Sequence, residues 1–109
     1  MNSDILAWAE ISQSTYISIR QTQNHFSGGP YCVEIDPRSG SATTNKYYST
    51  LQGVVAGYIK TIDHLTNNNP ENVTDFYADA EVNRRLISTS PQDSAYINAY
   101  IRAIRRHQL

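Results

Sequence analysis

The single cysteine and the three histidines are the residues of this chain best suited to nucleophilic or metal chemistry. A cysteine nucleophile needs a nearby histidine or cation that lowers its pKa. Cys32 lies in the middle of a predicted strand, with no such neighbour in the sequence. His25, His64 and His107 share no spacing, and no His or Cys pair has the spacing of a metal site. We therefore expect Cys32 to be a small buried or half-buried residue, and we expect no metal ligands.

Two short motifs also lack the features that catalysis or phosphate binding would need. Asp63 and His64 are adjacent on a predicted helix, so they point to different sides and cannot form a local dyad. Gly28-Gly29-Pro30 has neither the lysine nor the following helix start of a phosphate-binding loop. The sequence therefore predicts a protein that is not an enzyme, has no catalytic residues and needs no cofactor.

Charged residues recur at helical spacing in the second half of the chain. Glu71, Asp75 and Asp79 follow one another every four residues, which predicts an acidic row on one face of a helix. Such a row could be a solvated face, a docking surface for a basic protein, or a mate for the basic residues of a second copy. The basic residues are five arginines near the C-terminus, Arg84, Arg85, Arg102, Arg105 and Arg106.

These arginines allow two interpretations. Arginines close to tyrosines can bind phosphate or stack on bases. Cations near a helix C-terminus also complement the helix dipole without any ligand. Residues 1–81 carry four Lys or Arg and nine Asp or Glu, whereas residues 82–109 carry five Arg and one Asp. This imbalance is typical of self-association or of a charged partner, although the two regions could also neutralise each other within one fold.

Tyrosines are the third group of candidate site residues, and the chain has eight of them. Tyrosine is enriched at binding surfaces because it offers a large area at low entropic cost. Tyr47 and Tyr48 are adjacent in a predicted strand, so one of them must face away from the core. Tyr16 and Tyr96 are also predicted to lie off the main apolar faces. We expect partner binding to involve Tyr47 and Tyr48.

Alternating side chains predict β-strands in the first half of the chain. β-Branched residues alternate with polar ones over residues 15–21, which is the pattern of a half-buried strand. A loop over residues 24–30 leads to a second strand over residues 31–35. After a turn with proline and glycine, a third strand is predicted over residues 41–48. Residues 3–10 could form a short helix, a strand or a loosely docked terminus.

Start signals and spacings of three or four residues predict three helices. Ser49 and Gln52 have capping-box spacing at the start of the first helix, over residues 49–65. Asn69-Pro70 and Ser90-Pro91 are start signals for two more. The predicted buried residues are Leu51, Val54, Val55, Tyr58, Ile62 and Leu65 in the first helix, Val73, Phe76, Tyr77, Ala80 and Ile87 in the second, and Ile97, Tyr100, Ile101 and Ile104 in the third.

Two glycines lie one turn apart inside the first helix. Gly53 and Gly57 should each cost up to about 1 kcal/mol relative to alanine. Such a pair lets another backbone come close. Tight packing on the sheet and contact with a partner would both explain it.

Length and composition complete the prediction of the fold. The 109 residues predict a single α+β domain over residues 1–109: a three-stranded antiparallel sheet packed on the amphipathic helix, followed by two C-terminal helices. The lone cysteine permits no intramolecular disulfide. We see no signal peptide, and no apolar stretch approaches the roughly 20 residues of a membrane helix. A cytoplasmic location, with no membrane partner, is therefore expected.

The run Tyr31-Cys32-Val33-Glu34-Ile35 through Lys46-Tyr47-Tyr48-Ser49-Thr50-Leu51 resembles many small phage and mobile-element proteins. In those proteins a short meander often leads through an aromatic residue and a Ser/Thr-Leu pair into one amphipathic helix. Several proteins of that build are anti-defence factors, including anti-CRISPR inhibitors. The resemblance, which covers about half of the chain, implies a phage-encoded inhibitor of a CRISPR or related bacterial defence complex.

Three functional hypotheses follow. In the first, the chain is a non-enzymatic protein that inhibits or sequesters a larger protein or ribonucleoprotein complex. Its acidic row would then occupy a basic, nucleic-acid-binding surface of the target, with exposed tyrosines as anchors. In the second, the C-terminal arginines form a small nucleic-acid- or nucleotide-binding module. In the third, the acidic and basic helix faces of two copies pair across a two-fold axis in a homodimer.

Overall fold

The computed structural model describes residues 3–22, 29–38 and 42–107 and confirms the α+β class. Within these residues it has five strands rather than the predicted three, and three α-helices. Residues 24–28 of the loop predicted over 24–30, and the last two residues of the turn predicted over 36–40, lie outside the described residues. The elements in chain order are β1 (Ser3–Ile11), β2 (Thr15–Thr22), β3 (Tyr31–Pro37), β4 (Thr44–Tyr48), α1 (Leu51–Thr66), a 3-10 turn (Pro70–Asn72), β5 (Val73–Ala78), α2 (Ala80–Thr89) and α3 (Ala95–His107).

The five strands form one antiparallel sheet in the order β4-β3-β2-β1-β5. The predicted meander of three strands is its β2-β3-β4 part. β1 extends the meander by one strand on the N-terminal side. β5 follows α1 in the chain and pairs with the remaining edge of β1, so the chain returns to the sheet after leaving it.

The residues of β1 fit the strand alternative for the N-terminal segment. Ala7, Ala9 and Ile11 point to the core, while Trp8 and Glu10 point away. A register irregularity between Ile5 and Ala7 interrupts the alternation. This break, together with the small size of the alanines, weakens the strand pattern in the sequence.

The helix predicted to start at Asn69-Pro70 is wrong over residues 73–78, whereas its C-terminal part, with Ala80 and Ile87, is helical as α2. Asn69 does cap a helical turn, since its side chain accepts a hydrogen bond from the backbone N–H of Glu71 at 3.0 Å, but the turn is a 3-10 turn of three residues. Val73–Ala78 then forms β5. This run is rich in β-branched and aromatic residues, and it pairs with the edge of β1. Pairing with a neighbouring strand outweighs the helical spacing of its side chains.

Helix α1 confirms the best-marked helix prediction, with its cap one residue later than expected. The side chain of Thr50, not Ser49, accepts the backbone N–H of Gly53 at 3.0 Å. The helix ends at the predicted asparagines, where Asn67 adopts a left-handed conformation with φ 55°. Leu65, predicted to be buried, is 39% exposed. The fully or nearly buried residues of α1 are Val54, Val55, Tyr58, Ile59, Ile62 and Thr66.

Gly57 lets the ring of Tyr48 lie directly against α1. A Cβ atom at position 57 would be 2.5 Å from Cζ of Tyr48, closer than two such atoms can approach. A Cβ atom at position 53 would lie 3.5 Å from Cδ2 of the same ring, which is an ordinary contact distance. Gly57 therefore serves the packing of the helix on β4, one of the two explanations that the sequence allowed for the glycine pair.

The last two helices begin at carboxylate caps. Asp79 caps α2 by accepting the N–H of Val82 at 2.9 Å, and α2 buries Val82 and Leu86. The start signal at Ser90-Pro91 precedes α3 by a few residues. The carboxylate of Asp63, on α1, accepts hydrogen bonds from the N–H of Ala95 at 2.8 Å and the hydroxyl of Ser94 at 3.1 Å. Asp63 thus fixes the start of α3 against α1.

The predicted apolar side of α3 is wrong for Ile101 and Ile104, whereas Ile97 and Tyr100 are half-buried and the ring of Tyr100 lies 6.2 Å from that of Phe76. The residues that pack into the core are Ala95, Tyr96 and Ala99, whereas Ile101 and Ile104 are each 37% exposed. The small alanines allow the helix to approach closely, and Tyr96 fills the space between α3 and the sheet, with its ring 5.5 Å from that of Phe76. The larger isoleucines are turned towards the surface as a consequence.

We predict that the effect of Gly57→Ala on stability depends on Tyr48. In the native background the new methyl group collides with the ring, so the free energy of unfolding should fall by about 1–3 kcal/mol. In a Tyr48→Ala background the collision is absent, and the better helix propensity of alanine should raise the free energy of unfolding by up to about 1 kcal/mol. Urea denaturation of the four proteins measures both changes. The same sign in both backgrounds would contradict this packing.

We predict that Asp63→Ala lowers the free energy of unfolding by about 1–2 kcal/mol, because it removes the cap of α3. Asp93→Ala is the matched control, since Asp93 is an exposed acid just before the same helix. The control should change stability by less than about 0.5 kcal/mol. Chemical denaturation distinguishes the two variants, and equal losses would show that the contact to Asp63 has no special role.

Candidate functional site

One face of the sheet is not covered by any helix of the described residues, and we call it the open face. The helices pack on the other side, which carries residues such as Ala9, Ile17 and Val33. Because side chains alternate along a strand, every second residue points to the open face. By register these residues include Ile5, Trp8, Glu10, Tyr16, Ser18, Arg20, Cys32, Glu34, Asp36, Asn45, Tyr47, Asp75 and Tyr77.

Three aromatic rings contact one another across the β2, β1 and β5 part of the open face, and we call them the aromatic cluster. The ring of Trp8 meets that of Tyr16 edge-on, with centroids 5.8 Å apart. On its other side Trp8 lies 6.4 Å from the ring of Tyr77 at an interplanar angle of 29°, which is a stacked arrangement. Tyr77 is 49% exposed, so the cluster ends in a ring accessible to a partner.

A pair of carboxylates lies beside the aromatic cluster. Trp8 is directly opposite Tyr77, and two residues along each strand Glu10 is directly opposite Asp75. Like charges in this arrangement repel each other. The chain compensates for Glu10 with hydrogen bonds from Arg38 at 3.3 Å and from the hydroxyl of Thr74 at 2.9 Å. Asp75 is exposed and accepts the backbone N–H of Phe76 at 2.9 Å.

Arg38 already uses one ring of the aromatic cluster. Its guanidinium carbon lies 4.5 Å from the ring centroid of Tyr16, and one of its nitrogens donates to the Tyr16 hydroxyl at 3.0 Å. The same guanidinium pairs with Glu10. An arginine held between a ring and a carboxylate is therefore part of the open face.

The β3 and β4 part of the open face is polar and carries Cys32. Arg20 and Glu34 form an ion pair of 2.8 Å, and the thiol of Cys32 donates to the side-chain oxygen of Asn45 at 3.7 Å. Burial, followed by the charge of Glu34, raises the pKa of the Cys32 thiol. Cys32 is 3% exposed, which confirms the expectation of a buried residue.

The predicted acidic row does not exist as one helix face. Glu71 lies in the 3-10 turn, Asp75 in β5 and Asp79 at the cap of α2. The prediction failed because no single helix spans residues 71–79. The three acids are spaced four residues apart, but they lie in three different elements. Of the three acids, Asp75 is the one that the register places on the open face.

A cleft between the edge of β5 and α3 brings acidic and basic residues together. Its volume is about 550 Å³, and Glu71, Asp75, Arg102 and Arg106 line it. Arg102 and Glu71 approach to 3.8 Å across it. The acidic and basic groups therefore neutralise each other here within one chain, which is one of the interpretations that the charge imbalance allowed.

The five arginines lie on two helices. Arg84 and Arg85 both pair with Glu81 on α2, and the hydrogen bond from Arg85 is the main reason why the pKa of Glu81 is lowered. With the pair across the cleft, three of the five have a carboxylate partner. Arg105 and Arg106 are exposed on α3.

The tyrosines divide between the core and the open face. Tyr47 and Tyr48 point to opposite sides as predicted, with Tyr47 half-buried on the open face and Tyr48 against α1. Tyr16 lies on the open face, but Tyr96 is only 1% exposed, contrary to expectation. Its hydroxyl donates to Asn83 at 3.1 Å, and burial raises its pKa.

Sequence reasoning missed Trp8 and Tyr77 as site residues. The alternation of Ala7, Trp8, Ala9, Glu10 and Ile11 is the signal that places Trp8 opposite the core. No comparable signal exists for Tyr77, because its position depends on the pairing of β5 with β1.

In the part of the chain that the structure describes, no group of three or more His, Cys, Asp or Glu residues could hold a metal ion. His25 and the side chain of His107 lie outside that part. The described helices include none that is long and apolar enough to cross a membrane. Comparison of the chain with models of protein families, with curated proteins and with solved structures found no match.

We predict that Cys32 reacts slowly with thiol reagents in the folded protein. Its raised pKa leaves less thiolate at a given pH, and its burial limits access. Labelling with a chromogenic disulfide at pH 8 should be at least about tenfold slower than in urea-unfolded protein. Labelling at the unfolded rate would show that the thiol is accessible and activated.

Proposed function

We propose that this protein is a non-enzymatic binding protein that inhibits or sequesters a larger protein partner through the open face of its sheet. The observation that supports this most directly is the aromatic cluster of Trp8, Tyr16 and Tyr77 on the face that no described helix covers. Tryptophan and tyrosine dominate the binding energy of protein interfaces, where they act as central anchors.

The exposure of large apolar side chains on this face also favours docking. Antiparallel sheets with one solvated face normally carry polar residues there. Here Tyr77 on β5 is 49% exposed and Ile5 on β1 is 46% exposed, and Trp8 lies on the same strand as Ile5, directly opposite Tyr77. A contiguous exposed patch of this kind, with polar residues at its rim, is typical of a protein-binding site.

The proposed interface changes the role of the predicted residues. Asp75 stays in it as part of the acidic rim, and Tyr47 lies on the same face near the other edge. Glu71 lines the cleft and Asp79 caps α2, so neither is assigned to the interface. If the resemblance to small anti-defence proteins extends to function, the partner is a bacterial defence complex such as a CRISPR effector.

Nucleic-acid binding through the arginines is less well supported. Arg84 and Arg85 are held by Glu81, and Glu71 and Asp75 share the cleft with Arg102 and Arg106. Carboxylates beside arginines oppose the approach of a phosphate backbone.

We predict that a photo-crosslinker at position 77 captures a partner protein. Tyr77 is replaced by p-benzoylphenylalanine, which keeps an aromatic ring, and the protein is irradiated in a lysate of CRISPR-bearing bacteria. We expect a defined adduct, identified by mass spectrometry, because Tyr77 is the most exposed ring of the aromatic cluster in the proposed interface. The matched control has the same crosslinker at Lys60, an exposed position on α1.

The adduct supports the proposal only under two conditions. An excess of the unmodified protein must compete it away, and a Trp8→Ala change in the crosslinking protein must reduce its yield. Adducts that form equally from position 60, or that survive competition, would show that the open face is not the binding surface.

A further inference from the structure

We infer that the partner presents an arginine from a basic protein surface to the open face, where its guanidinium stacks on Tyr77 beside Trp8 and pairs with Asp75. This inference rests on the proposed function and specifies the chemistry of the partner.

The first argument is the shape of the aromatic end of the open face. The stacked pair of Trp8 and Tyr77 forms a continuous ring surface, and Tyr77 is the more exposed member. The faces of such rings attract cations, and a planar guanidinium can lie parallel to them. Arginine also offers several donors in one plane, so it can stack and bind a carboxylate together.

The second argument is charge complementarity. Among the described residues, four acids point to the open face, namely Glu10, Glu34, Asp36 and Asp75, against the two arginines Arg20 and Arg38. Both arginines already pair with an acid of this face. Arg102 and Arg106 lie beyond the edge of this face, in the cleft that Asp75 also lines. The remaining carboxylates make the face complementary to a basic surface, and a cation close to Asp75 would relieve its repulsion with Glu10.

The third argument is an arrangement of the same kind inside the chain. Arg38 lies on the ring of Tyr16 and pairs with Glu10, so a guanidinium between a ring and a carboxylate is already bound on this face. On the neighbouring strand β5, Tyr77 and Asp75 also provide an aromatic ring and a carboxylate. They lie two residues apart on β5, on the same side of the sheet, and among the described residues no cation lies over Tyr77.

The experiment uses Trp8 as the reporter, since it is the single tryptophan of the chain and touches Tyr77. Acetylated tetra-arginine amide is titrated into the full-length protein while tryptophan emission is recorded. We expect a saturable change. The matched peptides are tetralysine, which should bind at least about threefold more weakly, and tetracitrulline, which has the same shape without charge and should not bind.

Variants of the protein locate the site. Tyr77→Ala should abolish the saturable change, and Tyr77→Phe should keep it, because the ring is retained. Asp75→Asn should weaken binding at least about threefold. Asp93→Asn makes the same charge change on an exposed acid before α3 and should leave affinity unaltered. Circular dichroism confirms that each variant is folded.

Several results would overturn the inference. These are the absence of saturation at millimolar peptide, equal binding of tetralysine, equal loss in the Asp93→Asn control, or a stronger response of Trp8 to a single-stranded oligonucleotide. If Trp8 emission changes with protein concentration in the absence of peptide, and light scattering shows dimers, the open face binds a second copy of this chain instead. If crosslinking from position 77 succeeds while arginine shows no preference, the proposed function stands and this inference fails.

Discussion

Burial of one sheet face against a single layer of helices is the constraint on which the rest of this structure depends. Ala7 and Ala9 of β1 are fully buried, and their small side chains allow the helical layer to approach the sheet. Because side chains alternate along a strand, this burial fixes Trp8 on the opposite side. A shift of the register by one residue would bury Trp8 and expose both alanines, so the core also determines the open face.

Residues with strong local patterns were predicted correctly from the sequence, and residues whose structure depends on distant pairing were not. The strands over residues 15–21 and 31–35 and helix α1 have regular alternation or helical spacing, and the structure contains them. The six residues of β5 have aromatic and β-branched side chains, but they follow Asn69-Pro70, and Asp75 within them has helical spacing to Glu71 before the strand and Asp79 after it. Their strand structure comes from the free edge of β1, far away in the sequence, which no local pattern reports.

The candidate site shows the same division at the level of single residues. The opposite orientation of Tyr47 and Tyr48 follows from their adjacency in a strand, so it was predictable. The contact of Trp8 with Tyr77 was not predictable, because it joins β1, for which a strand was one of three alternatives, to β5, which was predicted to be helical. The imbalance of charge between the two parts of the chain was visible in the sequence, but its partial neutralisation by Arg102 and Glu71 depends on the docking of α3 beside β5.

The accessible groups of the open face support the proposal of a binding surface. Cys32 on this face is buried with a raised pKa, and Arg20 and Arg38 are held in ion pairs. What remains accessible is a ring surface on a rigid sheet with carboxylates at its side. Tyr77 is held by a strand whose following residues are fixed at the Asp79 cap, so little conformational entropy is lost when a partner packs on it. A preorganised aromatic surface with acidic neighbours is suited to binding a basic partner.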